Sequence, residues 1–228
     1  MKTIYVFVCL ILSVQFLYGQ EQAPEEFEGY IEFVHTVSYT DSTADIKKAK
    51  ERFGTSSVYY YKNGCYKWVF KGRKNIDGNE TLTEMYSPIR NEVFITFTGN
   101  SPAVRPGDPQ KHSQVLSFKY IFEKDSLAGF PCNQFFIETA YGDINVKRFF
   151  SYSDRLPLNP EHFSHFSHNN FDFIYPKIKA VPLDIKVIMD DYFIMEYKAV
   201  KVVKKQLDPA MFEWPDIKDH DKLKGNNE

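Results

Sequence analysis

Cysteine is scarce, and the familiar catalytic signatures are missing altogether. The 228 residues hold three cysteines, and they contain no Gly-x-Ser-x-Gly, no His-Glu-x-x-His, no Cys-x-x-Cys and no glycine-rich phosphate loop. These gaps leave no sequence basis for a nucleophile elbow, a zincin helix, a thioredoxin-type redox pair or a P-loop nucleotide site. Charge of one sign is not in excess either: 28 basic residues face 30 acidic ones. No basic field is present to attract nucleic acid. Beyond the first 19 residues no apolar run is long enough for a membrane-spanning helix, which needs about 20 residues. No internal repeat occurs.

The first 19 residues, MKTIYVFVCLILSVQFLYG, join one lysine to an apolar run from Ile4 to Leu17 and then to Gly19 and a polar stretch. This layout predicts a secretory leader cut after Gly19. Leu17 at position −3 of the cut is larger than the usual small residue, so an uncleaved anchor is the alternative. Cys9 lies inside the apolar run and not after it, which leaves no lipobox and argues against a lipid anchor. The domain layout is then a leader over 1–19, one domain over 20–215 and a polar tail over 216–228. Loss of Lys2 with the leader takes the formal net charge from −2 to −3. Cys65 and Cys132 remain. In an oxidising compartment a bond between them would close a loop worth about 4 kcal/mol by chain entropy, and the sequence leaves both pairing and two separate thiols open. Asn79-Glu80-Thr81 is a glycosylation sequon only in a eukaryotic host.

What the chain has in quantity is aromatic side chains, 15 tyrosines and 21 phenylalanines, set on alternating patterns. Ile31, Phe33, His35, Val37 and Tyr39 fall on one face of a strand. A short helix is expected in DSTADIKKAKERFG, with Ser42 or Thr43 as N-cap and Gly54 as its stop. Asn63-Gly64 between two aromatic runs predicts a hairpin, with Tyr66, Trp68 and Phe70 on a shared face. GNSPAVRPGDPQKHS, rich in proline, is expected as a long loop. Leu116, Phe118, Tyr120 and Phe122 alternate with polar residues. Two further strands follow within Phe130–Ser153, and two more turn at Asp190-Asp191, where acidic residues serve the turn itself. About ten strands with mostly short connections predict a mainly β chain built as a meandering antiparallel sheet. In Phe130–Tyr141 and Tyr192–Val203 both faces carry large apolar groups, so something must cover the second face: the helix and loops, or a ligand.

The stretch EHFSHFSHNNF places His162, His165 and His168 three residues apart. At about 100° per residue in a helix they spread over about 120°, too wide for all three to meet one ion without strain. No Asp, Glu or Cys stands at a ligand spacing nearby, and prolines and asparagines bracket the stretch. A polar loop or helical turn is therefore expected, with no metal and no cofactor.

FEGYIEFVHTVSYT, YYYKNGCYKWVF, AGFPCNQFFIETAYGDINVKRFFS and the ending VPLDIKVIMDDYFIMEYKAVKVVKKQLDPAMFEWP occur in the order seen in LolA-like, lipoprotein carrier-like proteins. The chain resembles most their exported relatives in outer-membrane-bearing bacteria. The resemblance covers most of residues 27–215, and the order of the blocks carries it. It implies a half-open barrel of about ten or eleven strands, with one or a few short helices closing the concave face, and a cavity for acyl chains. One helix is legible here where the carriers have several, and none of their gating residues has a match, so fold transfers better than activity.

The expected function is a periplasmic, monomeric, non-catalytic carrier or binding protein. Its ligand would be hydrophobic or acylated, a lipoprotein among the candidates, held on inward faces by Phe33, Val37, Trp68, Phe70, Phe118, Tyr120, Phe122, Leu183, Ile185 and Met195. Apolar ligands of this kind bind by burial, at about 0.8 kcal/mol per methylene. The competing expectation is an envelope protein-interaction module with an ordinary filled core and no ligand, using residues 100–110 and the histidine stretch as contact surfaces.

Overall fold

The computed structural model describes residues 25–40, 45–74, 81–97, 102–108, 113–190 and 192–214. The leader, the tail, Ser42, Thr43, the sequon asparagine and Asp191 lie outside them. The strands are β1 (Gly29–Tyr39), β2 (Ser56–Lys62), β3 (Cys65–Lys71), β4 (Thr81–Ser87), β5 (Glu92–Phe97), β6 (Ala103–Pro106), β7 (Gln114–Leu127), β8 (Phe130–Tyr141), β9 (Ile144–Pro157), β10 (Ala180–Met189) and β11 (Phe193–Lys204). Two helices accompany them, α1 (Ile46–Phe53) and α2 (Phe171–Ile178), with 3₁₀ turns at Pro160–Phe163, His168–Asn170 and Pro209–Phe212. The chain is mainly β. The eleven strands among the described residues form one antiparallel sheet in the order β6-β5-β4-β3-β2-β1-β11-β10-β9-β8-β7.

That order is two meanders joined at the centre, where the first strand pairs with the last from Gly29 opposite Lys204 to Tyr39 opposite Phe193. The two outer strands, β6 and β7, follow each other in sequence. From Pro106 to Gln114 a fully extended chain reaches about 28 Å, whereas eleven flat strands would set the edges about 48 Å apart. The sheet must therefore curve until its edges approach, without closing into a barrel. Bulges add to the coiling: the register slips in β1 between Glu32 and Phe33, and in β10 on both sides of Pro182, which has no N–H to give to the ladder.

The alternation seen in the sequence sets the faces. Ile31, Phe33, His35 and Val37 are buried on the concave side while their neighbours in β1 lie farther out. Asn63 and Gly64, with φ of 47° and 77°, make the two-residue turn between β2 and β3. Gly54 ends α1 as expected, its N–H donating to the Lys50 carbonyl. The N-cap is Asp45 and not Ser42 or Thr43: its carboxylate accepts from the Lys48 N–H at 3.0 Å. Residues 103–106, expected in a loop, form β6, a four-residue edge strand beside β5. An edge strand tolerates Pro106 because one side of its backbone is unpaired.

The concave face is filled by the segment that carries the histidines. Phe163, Phe166 and Ile174 are fully buried, and Tyr175 and Ile178 nearly so, against Tyr61, Tyr66 and Tyr86 from the strands. Residues 163, 166, 170, 174 and 178 step by three or four, the spacing of one helical face. The histidines sit between these anchors. Two successive asparagines, Asn169 and Asn170, take φ of 56° and 61° to turn the chain into α2, a conformation asparagine tolerates better than most residues. The Asn170 amide is held by the Ser113 hydroxyl at 2.6 Å and by Arg148 at 3.3 Å. Tyr86 donates to the His162 carbonyl at 3.1 Å and Asn91 to the His165 carbonyl at 2.8 Å.

Gly64 is where the β2–β3 turn meets this plug. A β-carbon there would stand 2.4 Å from His162 Cγ, on a residue whose φ is already left-handed. Gly64→Ala is expected to cost about 2 kcal/mol, part from the φ and part from displacing the ring. The check is the urea midpoint, and a cost below about 0.5 kcal/mol would show that the turn is not seated on His162.

Candidate functional site

The plug covers one end of the concave face and leaves the other end to α1. Between α1, the tips of the β1–β11 and β10–β11 ladders and the end of β5 lies an open cleft of about 920 Å³. Its apolar surface comes from Tyr39, Phe53, Phe97, Met189 and Phe193, and Lys48, Arg52, Arg73 and Lys74 stand around it with Asp45 and Glu51. Val37 and Met195 pack beneath, against Ala49 and Phe193. Ala49 is the one buried residue of α1, so the helix rests on the sheet by a narrow contact. The ring of Tyr39 lies 5.3 Å from Phe193, which in turn lies 5.1 Å from Phe53.

A hydrogen-bonded relay ties the end of α1 to the interior. The Phe53 carbonyl can only accept, so His35 Nδ1, 3.3 Å away, carries the proton. The Ser57 hydroxyl then donates to His35 Nε2 at 2.8 Å and accepts from the Trp68 indole N–H at 2.8 Å. Burial drops the His35 pKa to about 4, so the ring is neutral in this relay at pH 7. The ring also meets Tyr197 edge-on at 4.4 Å. Deeper on the same face the Tyr66 hydroxyl donates to the Glu84 carboxylate at 2.6 Å. The phenols around it are buried, and burial first of all drives Tyr59, Tyr66 and Tyr175 above the ordinary tyrosine range. All three stay protonated at any ordinary pH.

The ten residues expected to line a ligand site fall in three places. Val37 and Met195 pack under the α1 cleft, against Ala49 and Phe193, without lining it. Phe33, Trp68, Phe70, Leu183 and Ile185 belong to the main core or pack against it, with Phe33, Phe70 and Leu183 closed to solvent. Phe118, Tyr120 and Phe122 lie far along the sheet on edge strand β7, 48, 40 and 82% exposed, with Phe118 5.3 Å from Phe173 of α2. Alternation alone put all ten on one surface; the plug divides that surface. The cleft residues missed from the sequence are Tyr39, Phe53, Phe97, Arg73, Met189 and Phe193. Tyr39 was legible as the next inward position of β1, whereas Arg73 follows β3 with no periodicity to mark it.

The three histidines diverge. His162 Nε2 is 3.4 Å from the Glu26 carboxylate, which also accepts from the Tyr61 hydroxyl and the Asn159 N–H. His165 offers its carbonyl to Asn91. His168 packs on Phe166, and burial lowers its pKa. Among the described residues no group of three His, Cys, Asp or Glu is placed to share a metal ion. Cys65 and Cys132 are both free thiols, and burial raises the pKa of each. Such thiols are poor nucleophiles.

No family model matches the chain. No curated protein matches its sequence. Among solved structures, PNGF-II aligns in its C2 and P21 crystal forms, at TM-scores of 0.42 and 0.41 and 11% and 12% identity, over 81% of this chain in both. The chain spans less than a third of the length of that protein, 29% and 30% in the two forms.

Proposed function

We propose that the chain is a non-catalytic carrier or binding protein for a hydrophobic or lipidated ligand, exported by its leader and working in the cell envelope. The observation that carries this reading is the α1 cleft. Its volume of about 920 Å³ lies in the range of small-molecule sites, and its floor is aromatic and aliphatic with polar groups at the margin. The core proper is filled by Phe163, Phe166 and α2, so the ligand belongs beside the plug and not beneath it. α1, with one buried residue, is the element positioned to move as the ligand enters. The LolA-like resemblance of the sequence blocks supports the same ligand class.

The test is native mass spectrometry of residues 20–228, secreted by a bacterial host and purified without detergent. A reproducible added mass that dissociates as a lipid is the expected result. A bare chain mass after lipid feeding would overturn the reading.

A second reading, an envelope interaction module, draws on β7. Among the described residues it is an edge strand, paired only with β8, and it bears three exposed aromatic rings, the combination used to recruit an added strand. Phe122→Ser is expected to leave stability within about 0.5 kcal/mol, since the ring is largely in solvent. A larger loss on chemical denaturation would mean that the ring is packed in solution and that the edge is not a free contact surface.

A further inference from the structure

The basic residues around the α1 cleft are not balanced by the acidic ones. Asp45 is committed to the N-cap of α1, and Glu51 is 3.6 Å from Lys74. Lys48 and Arg52 stand four apart and so share one face of α1. Arg73 is the unusual member. Its guanidinium lies between Phe70 and Phe97, 5.6 Å from each ring centroid, and Nε is buried with no hydrogen-bond partner among the described residues. Among the described residues no carboxylate forms an ion pair with it. A buried donor on a permanent cation, left unmet beside an open apolar cleft, is costly unless an acceptor arrives from outside.

We propose that Arg73 is the head-group receptor of the cleft and that the ligand is a single-chain anionic amphiphile, a long-chain carboxylate. This rests on the ligand reading above and adds the charge of the ligand and the residue that selects it. A carboxylate can satisfy Nε and one terminal nitrogen at once, in the side-on geometry that a guanidinium favours. The two flanking rings hold the guanidinium plane in place. The hydrocarbon chain then lies along Phe193, Met189 and Tyr39, with Lys48 and Arg52 adding a long-range pull on the anion. Burial lowers the Arg73 pKa, opposed by the Tyr197 and Glu84 side chains and reinforced by the neighbouring charge of Arg52.

Calorimetric titration of the secreted chain with dodecanoate, 1-dodecanol, dodecyl phosphate and acetate tests this, each amphiphile kept below its micellar concentration. Dodecanoate is expected to bind about tenfold or more tighter than dodecanol, and acetate not measurably. Arg73→Gln should remove most of that preference, a drop of about tenfold for dodecanoate with dodecanol unchanged. Arg73→Lys keeps the charge and the stem and covers the case in which the glutamine variant unfolds. It should bind dodecanoate about three- to tenfold more weakly than the native chain. Equal affinity for dodecanoate and dodecanol, or a preference that survives both substitutions, would overturn the receptor while leaving an apolar cleft. Dodecyl phosphate binding about tenfold tighter than dodecanoate would overturn the carboxylate assignment. Failure of every amphiphile to bind would overturn the ligand reading itself.

Discussion

Replacing Phe166 by alanine is expected to lower the unfolding free energy by about 3–5 kcal/mol, the upper range for a buried aromatic. The ring has no exposed surface. Its centroid lies 4.1 Å from that of Tyr86, 5.6 Å from Phe171 and 6.2 Å from both Tyr66 and Phe163. The space left by its removal has little means of collapsing, because the backbone on both sides is pinned. Phe166 donates to the Phe163 carbonyl at 2.9 Å and accepts from the Asp172 N–H at 3.0 Å, and Tyr86 holds the plug through the His162 carbonyl. Urea unfolding of the variant and the native chain measures the loss. A value below about 1 kcal/mol would mean that residues 160–178 are a surface connection and not part of the core.

Acid should weaken the fold through His35. Its pKa in the folded chain is about 4, against an ordinary value of 6.5. Burial is the main cause, opposed by the backbone of Phe53 and Gly54, while Arg73 adds a smaller push in the same direction as burial. The sign follows from linkage. Above pH 6.5 the ring is neutral folded and unfolded, and the full stability is present. Between pH 6.5 and about 4 the unfolded chain takes a proton that the fold refuses, so stability falls with pH, and below about 4 the loss levels off. The total from this one group is about 3 kcal/mol. His35→Gln should flatten the slope in that window. The direct check is the imidazole titration by NMR in the folded protein. A midpoint at 6 or above would show the ring solvated and the Phe53–His35–Ser57–Trp68 relay open. Because Phe53 is the last residue of α1, the same titration reports on the seating of the helix over the cleft.

Both effects come from segments whose local character was visible and whose placement was not. The β1 alternation, the Asn63-Gly64 turn, the stop at Gly54 and the two-strand ending around Asp190 are short-range patterns, and each lies in the structure where the sequence put it. The stretch EHFSHFSHNNF drew attention to its histidines, yet its phenylalanines carry the fold. His162, His165 and Phe163, Phe166 have the same three-residue spacing one step apart. Spacing cannot say which set turns inward, and burial of aromatic surface decides it. β6 was hidden because prolines suppress any alternation in a four-residue edge strand. The site residues scattered for a related reason: Phe118, Tyr120 and Phe122 have the same pattern as Phe33 and Val37, but an edge strand has a neighbour on one side only, which leaves its inward rings largely open.

The sequence by itself determined that the chain is β-rich, that its sheet is a meander of about ten strands, and that its strands bear more apolar surface than one face can bury. These follow from periodicity, turn residues and composition, which act over a few residues. Only the tertiary structure decided that β1 pairs with β11, that the sheet curves until β6 and β7 approach, that the histidine segment is the plug, and that an open cleft with Arg73 in its wall lies beside α1. Those outcomes depend on which distant surfaces meet. The free energy that selects among them comes from burying aromatic rings against partners as far apart in sequence as Tyr61 and Phe163, and no local pattern encodes that choice.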